Sequence, residues 1–496
     1  MTLSARDHSM SFNPFLQDLH LPIPGPVYWA PGRHLLWYDP HGHRSTRRLD
    51  PAEVSSWCAD RDPSVLWEQW SQLLAGHRFL VEHTSVNPVH PLHAGSLRGT
   101  VLGGAITGLL RSAGADVDVR YFVNDQGRQV TYLRRILPEV DWHTIPTGLR
   151  PDEAVGILYA LANMREAARH TDIARLVGEH PWLRSAVATS APLPTTVPED
   201  DLGVVKTMVD CAAQDLHLLG ADADSYDYES QLPDDTGALV LELAHRFATV
   251  AVNGTRCLNR TDGLVPLQRP DGTSLYFTRD VANTRARLYT GRRLLHVIGD
   301  DQVLLQRALR DTVPEADLEH IAFGVVTHQG RKFSARQHRL LTIPDIQHHQ
   351  GPAGVWALAL AILLRRRTVP IELTVLDTAH PLDIVLTART TAQSALERLP
   401  TLQPTDPAWW PLVQAMLQAP GILQRALRSR TPHASAGLLV ELSVRYLRAA
   451  RHHDLPQWLR TWFLGTQSRL AAVHGLRPDA HLDLSPDLTR SNRRTA

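Results

Sequence analysis

The chain almost lacks lysine. Of its 51 basic side chains, only Lys206 and Lys332 are lysines and the other 49 are arginines. So one-sided a usage reads as a compositional bias, which makes each surviving lysine a place to ask whether a compact ammonium was needed where a planar guanidinium would not serve. Cysteine is scarce too. Cys58, Cys211 and Cys257 lie far apart with no C-x-x-C pair, which excludes a disulfide framework and a zinc ribbon and fits a reducing compartment. Long apolar runs are missing. The longest, Val355 to Leu364, falls well short of the ~20 residues that cross a bilayer. The first thirty residues place Pro14, Pro22, Pro24 and Pro26 among polar neighbours, so no signal peptide is expected. A cytoplasmic, soluble, monomeric protein without a membrane partner is the expectation.

Net charge is absent as well, with 51 acidic side chains against 51 basic ones in 496 residues. Hydrophobic residues at 43% and charged ones at 21% describe an ordinary globular chain, long enough for about three domains at ~150 residues each. The zero conceals a gradient. Residues 351–496 hold 17 arginines against 10 acids, a surplus of +7 that residues 1–350 cancel. A basic C-terminal portion suits a polyanionic partner, and it equally suits an arginine-rich solvated surface.

Residues 1–78 show no sustained period and read as a short N-terminal extension. From Phe79 the pattern changes. Phe79–Thr84 reads as a buried strand, Asn87-Pro88 breaks it, Gly95–Leu110 reads as a helix closed by Gly114, and Val117–Val123 reads as a second strand. That is a strand, loop, helix, strand unit of the parallel α/β kind. A helical insertion is expected over about 140–245. Strand candidates then return at Leu275–Phe277, Leu294–Ile298 and Ile321–Val326. The whole of 79–345 is therefore read as a Rossmann-type parallel-sheet domain. Beyond it, apolar residues three and four apart in 354–364, 411–428 and 434–451 predict an all-α domain over 346–496. Gly103, Gly104 and Gly108 in the first helix predict close packing there.

His93-Ala94-Gly95-Ser96 falls where the first strand has ended and the helix begins. Free backbone N–H groups and the helix dipole favour phosphate at such a place, and Gly95 permits close approach. One histidine beside one glycine is commonplace, but ordered blocks surround it. They are Val81-Glu82-His83-Thr84-Ser85-Val86-Asn87-Pro88, then Pro91 to Gly99, then Tyr121-Phe122-Val123-Asn124-Asp125-Gln126-Gly127-Arg128-Gln129, then Asp271-Gly272-Thr273-Ser274-Leu275-Tyr276-Phe277-Thr278-Arg279-Asp280, then His296 to Gln302, and finally Arg331-Lys332-Phe333-Ser334-Ala335-Arg336. In this order they resemble the arginyl-tRNA synthetases, class I enzymes with a His-x-Gly-His signature and a Lys-Met-Ser-Lys-type loop.

The resemblance implies roles residue by residue. Glu82, Asn87, Tyr276, Asp280 and Gln302 occupy the positions that hold arginine. A planar cation rich in donors calls for paired carboxylate acceptors with amide and hydroxyl partners, and this set supplies two carboxylates. His93, Gly95, His296, Gly299, Lys332 and Arg336 would lie along ATP, which arrives with Mg2+ held largely by phosphates and water, so no dedicated metal cage is expected. His93, Ser96, Lys332 and Ser334 would carry the chemistry, an in-line displacement at the α-phosphorus that needs positioning and charge stabilisation rather than a nucleophilic triad. The basic helical half would bind tRNA(Arg).

Two departures stand out. The second signature histidine is Ser96 here, and the chain before the first matched strand is short for the family's N-terminal domain. The leading expectation is an arginine–tRNA ligase. Two alternatives accompany it: a paralogue that passes activated arginine to a non-tRNA acceptor, and a catalytically silent tRNA- or arginine-binding regulator.

Overall fold

A computed structural model describes residues 14–19, 28–30, 34–38, 41, 43–197, 202–232, 236–332, 341–373, 379–396, 409–452 and 454–477. The N-terminal segment is more structured than its aperiodic sequence indicates. Strands β1 (Tyr28–Ala30), β2 (His34–Tyr38) and β3 (Arg44–Arg48) form an antiparallel sheet. Helix Pro51–Ala59 follows, N-capped by the Asp50 side chain. The Trp462 indole in the last helix donates to the backbone oxygens of Cys58 at 2.8 Å and Arg61 at 3.2 Å, fastening the extension to the other end of the chain.

The central sheet is built from β4 (Arg78–Glu82), β5 (Asp116–Val123), β6 (Ser225–Tyr228), later β10 (Arg293–Gly299) and β11 (Leu318–Phe323). All four pairings are parallel, in the order β11-β10-β4-β5-β6. This is the doubly wound arrangement, with its reversal of direction between β4 and β10. β6 corrects the expectation of a purely helical insertion. Between β6 and β10 lies a second feature absent from the sequence reading, an antiparallel meander of β7 (Thr249–Val252), β8 (Thr255–Arg260) and β9 (Gly263–Gln268). Leu275–Phe277 is not a strand, because Leu275 is the N-cap of helix Tyr276–Arg287.

Alternation along the strands splits the core in two. Phe79, Val81 and Leu295 belong to a large cluster that also takes in helix Ala94–Ser112, the N-terminal helices and the C-terminal helices. Leu80 and Leu294 face the other way, into a smaller cluster with Leu258, Val265, Phe277, Val281 and Leu309. Strands covered on both sides must be apolar at consecutive positions, which is why β4 and β10 were legible.

Helix Ala94–Ser112 is buried along most of its length, and its glycines permit this. A Cβ on Gly103 would stand 2.0 Å from that of His83, one on Gly104 would stand 2.8 Å from Ala221, and one on Gly108 would stand 2.1 Å from the Val473 carbonyl oxygen. Gly103 thus packs against the loop after β4, and Gly108 against the final helix.

After β11 the chain forms β12 (Val326–His328) and β13 (Arg331–Lys332), an antiparallel hairpin, and β14 (Ile371–Glu372) joins β12 in parallel. Helix Ile343–Leu363 separates the hairpin from β14. Helices Ala379–Leu396, Trp410–Ser429, His433–His452 and Gln457–Val473 follow among the described residues and, with Ile343–Leu363, cover the segments whose spacing indicated helix. No helix among the described residues is long and apolar enough to cross a membrane, and the three cysteines are free and buried.

Candidate active site

In a doubly wound sheet the ligand crevice lies at the carboxyl ends of the strands where the order reverses, which here are β4 and β10. Glu82 is the last residue of β4 and stands in register with His296 of β10. Its carboxylate is buried and ion-paired with the fully buried Arg287, and it also accepts from Ser85 Oγ at 2.5 Å. Burial pushes this carboxyl up, but the charges of Arg287 and His296 outweigh it and hold the group at about 2. Arg287, missed by the sequence reading, reaches on to Asp227 of β6 at 2.9 Å.

Asp280 sits two turns before Arg287 on the same helix. Burial, and then the Glu82 carboxylate beside it, push the Asp280 carboxyl up to about 8, against the pull of Arg287. Its side chain has no hydrogen bond or ion pair among the described residues. Glu82 and Asp280 therefore share one buried guanidinium, and that guanidinium satisfies only Glu82. A second guanidinium is the group that would complete the pair.

Asn87 donates its amide to Gln129 Oε1 at 2.8 Å, while Tyr121 Oη donates to the Val86 carbonyl at 3.0 Å. Gln129 lines a small cavity with Tyr276, Ser274, Gly127 and Arg279. Contacts thus run from Asn87 to the cavity that Tyr276 borders. Tyr276 is half exposed at 52%. Gln302 closes a short turn, Asp300–Gln302, directly after β10, and its side chain makes no hydrogen bond to the other four among the described residues.

His93 is the N-cap of helix Ala94–Ser112, and its Nδ1 accepts from the Gly95 N–H at 3.0 Å. A neutral imidazole that accepts at Nδ1 carries its proton on Nε2. Burial and then the neighbouring His90 push His93 down to about 3, so neutral is its state. The His90 ring lies 5.1 Å away. Ser96 is occupied by the cap itself: its hydroxyl accepts from the His93 N–H at 3.2 Å and donates to the His93 carbonyl at 2.9 Å. His83 cannot replace a lost imidazole at the helix terminus, because its ring is buried against Gly103 and bonded to Thr84 Oγ1.

His296, expected along ATP, follows Leu295 on β10. It is buried, hydrogen-bonded to Gln306 Oε1 at 3.1 Å and in register with Glu82. Gly299 ends β10 at the crevice, with space beside its Cα filled by the Asp301 carboxylate. Lys332 ends β13, where its backbone alone is described; Ser334 and Arg336 lie outside the described residues. Lys206 is exposed on helix Leu202–Leu218, away from these groups. No cluster of three or more metal-ligating side chains is present among the described residues.

Residues 66–144, which hold β4, the His93 helix terminus and β5, match the model for the class I (R) tRNA synthetase catalytic domain. Over nearly its full length the chain shares its fold with the arginyl-tRNA synthetase of Thermus thermophilus, at a TM-score of 0.64 and 18% identity, covering 94% of this chain and 98% of that one. The arginyl-tRNA synthetase of Plasmodium falciparum matches at a TM-score of 0.58 and 14% identity, over 89% of this chain and 85% of that one. The fold is that of a class I tRNA synthetase.

Sequence similarity narrows the class. The arginine–tRNA ligase of Saccharolobus solfataricus is 27% identical over 340 residues, 54% of each chain. That of Ignicoccus hospitalis is 29% identical over 350 residues, 58% of this chain and 56% of its own. The chain is thus similar in sequence to arginine–tRNA ligases, and it spans about half the length of the curated relatives it matches.

Proposed function

We propose that the protein is an arginine–tRNA ligase. Arginine and MgATP form arginyl-adenylate, and the arginyl group then passes to the terminal adenosine of tRNA(Arg). The observation that carries this reading is the carboxylate pair Glu82 and Asp280, of which the buried Arg287 satisfies only one. In the first step the arginine carboxylate attacks the α-phosphorus and pyrophosphate leaves. In the second, a ribose hydroxyl of the tRNA attacks the acyl carbon and AMP leaves. The chain's part is to place the reactants and stabilise charge on the phosphoryl oxygens. Gly95 and the neutral His93 at the helix terminus suit that task, as does Lys332 at the end of its hairpin.

Ser96 favours a second reading, an arginine- or tRNA-binding relative that adenylates slowly or not at all. Its hydroxyl is engaged on both sides by the His93 backbone. Loss of one transition-state donor costs on the order of 2–4 kcal/mol. Charging of total tRNA with radiolabelled arginine separates the readings. Arginyl-tRNA from the unaltered protein supports the ligase. Folded protein that binds arginine but yields no product, with activity appearing in Ser96→His, establishes the silent form. ATP–pyrophosphate exchange without tRNA charging would point to an acceptor other than tRNA.

A further inference from the structure

We propose that Glu372 is a positioning residue for the phosphate end of the nucleotide site, acting through the hairpin that carries Lys332. The proposal rests on the ligase reading above for its substrate and on geometry alone for the latch.

The hairpin β12–β13 turns through Gln329 and Gly330, both with positive φ, at 51° and 70°. A two-residue turn of this kind matches strand twist well, yet it asks Gln329, which has a Cβ, to hold a left-handed conformation. Such a residue persists where its surroundings over-determine it, and Glu372 does so. One carboxylate oxygen accepts from the Gln329 N–H at 2.8 Å. The other accepts from the Gly330 N–H at 3.0 Å and the Thr327 hydroxyl at 2.8 Å. Successive N–H groups in a turn form a concavity that suits an anion, and here the chain fills it from within. Thr327 is the register partner of Lys332, so the latch closes directly across the hairpin from the lysine.

The latch is anchored to the helix at the crevice. Arg98, one turn into helix Ala94–Ser112 and fully buried, donates to the carbonyls of Gly324 at 2.6 Å, Arg366 at 3.0 Å, Arg367 at 2.9 Å and Val369 at 2.6 Å. The first acceptor precedes β12 and the other three precede β14. One guanidinium thus fixes the roots of both strands, and Glu372 ties their tips. The His93 helix terminus and the Lys332 hairpin are held as one unit.

The test compares wild type with Glu372→Ala, Glu372→Gln and Thr327→Val in the full chain. Trypsin cleavage after Arg331 and Lys332 reads the hairpin, and steady-state arginylation reads the site. Glu372→Ala should speed cleavage and raise KM for ATP by roughly tenfold while KM for arginine stays within twofold. Glu372→Gln, which keeps the shape and an acceptor oxygen, should restore much of both and covers the case in which the alanine variant does not fold. Thr327→Val should move both readouts in the same direction by less. Unchanged cleavage in Glu372→Ala and Glu372→Gln overturns the proposal, as does a KM for arginine that rises together with that for ATP. Cleavage needs no turnover, so a wild-type chain that forms no arginyl-adenylate refutes the proposed function while trypsin still decides the latch.

Discussion

Asp280 is a carboxyl kept protonated near neutrality by burial and by the Glu82 carboxylate. A guanidinium bound against it favours the ionised form, so arginine binding should expel a proton. The sign follows from a raised acid: below about 8 the empty site holds the proton, and above about 8 it does not. Arginine affinity should therefore rise with pH up to about 8 and level off beyond. Calorimetric titration at pH 7 in two buffers of different ionisation enthalpy should report nearly one proton released per arginine, and none in Asp280→Asn. Heats that do not depend on the buffer would remove Asp280 from the arginine site. Arg287 belongs to the same cluster. Truncation to Met leaves Glu82 buried without its cation and should cost about 3–5 kcal/mol in urea unfolding, since breaking one half of a buried pair exposes the full desolvation cost of the other. A loss under about 1 kcal/mol would mean that Ser85 and His296 suffice to hold Glu82.

Glycines that look alike in the sequence behave differently within their elements. Gly103→Ala places a methyl group on the His83 ring and should destabilise by roughly 1–3 kcal/mol through overpacking. Gly178, on helix His170–Glu179, has nothing within 4 Å of its missing Cβ and is exposed. Gly178→Ala should stabilise by roughly 0.5–1 kcal/mol through lost backbone freedom in the unfolded chain. Thermal melts of the two variants moving in the same direction would contradict this account. The contrast also explains what could be read from sequence. β4 and β10 were legible because burial on both faces forces consecutive apolar residues. β6, Ser-Tyr-Asp-Tyr, is an edge strand of half-buried residues, and β7 is exposed at all four positions, so neither carries an apolar signal. Leu275-Tyr276-Phe277 imitates a strand locally, but Phe277 and Val281 lie one helical turn apart and face one core. At the site, Glu82, Asn87, His93 and Asp280 came from ordered motifs. Arg287 and Glu372 did not, and Gln129 stood in a motif without a role, because each acts through a partner distant in sequence that only the fold brings near.

For the whole molecule, the +7 surplus of residues 351–496 falls on the helical end of a chain whose other end holds the crevice. If this half carries the tRNA, affinity should fall steeply with salt as phosphate counterions are released, with a log–log slope of several units negative. Equilibrium binding of tRNA(Arg) from 50 to 200 mM KCl, a range over which the effect reaches orders of magnitude, provides the measurement. A flat response would leave the arginines as a solvated surface.

The reversal of strand order between β4 and β10 also bears on how the protein is made. β4 is the middle strand of the sheet and among the first to leave the ribosome. Its neighbour β10 is synthesised only after β5, the long helical stretch, β6 and the β7–β9 meander. Until then one edge of β4, with Leu80 and Val81, has no partner, and the crevice does not exist. Nascent chains of intermediate length should therefore be chaperone clients and prone to edge-to-edge association, and arginine should protect the protein only once β10 has emerged.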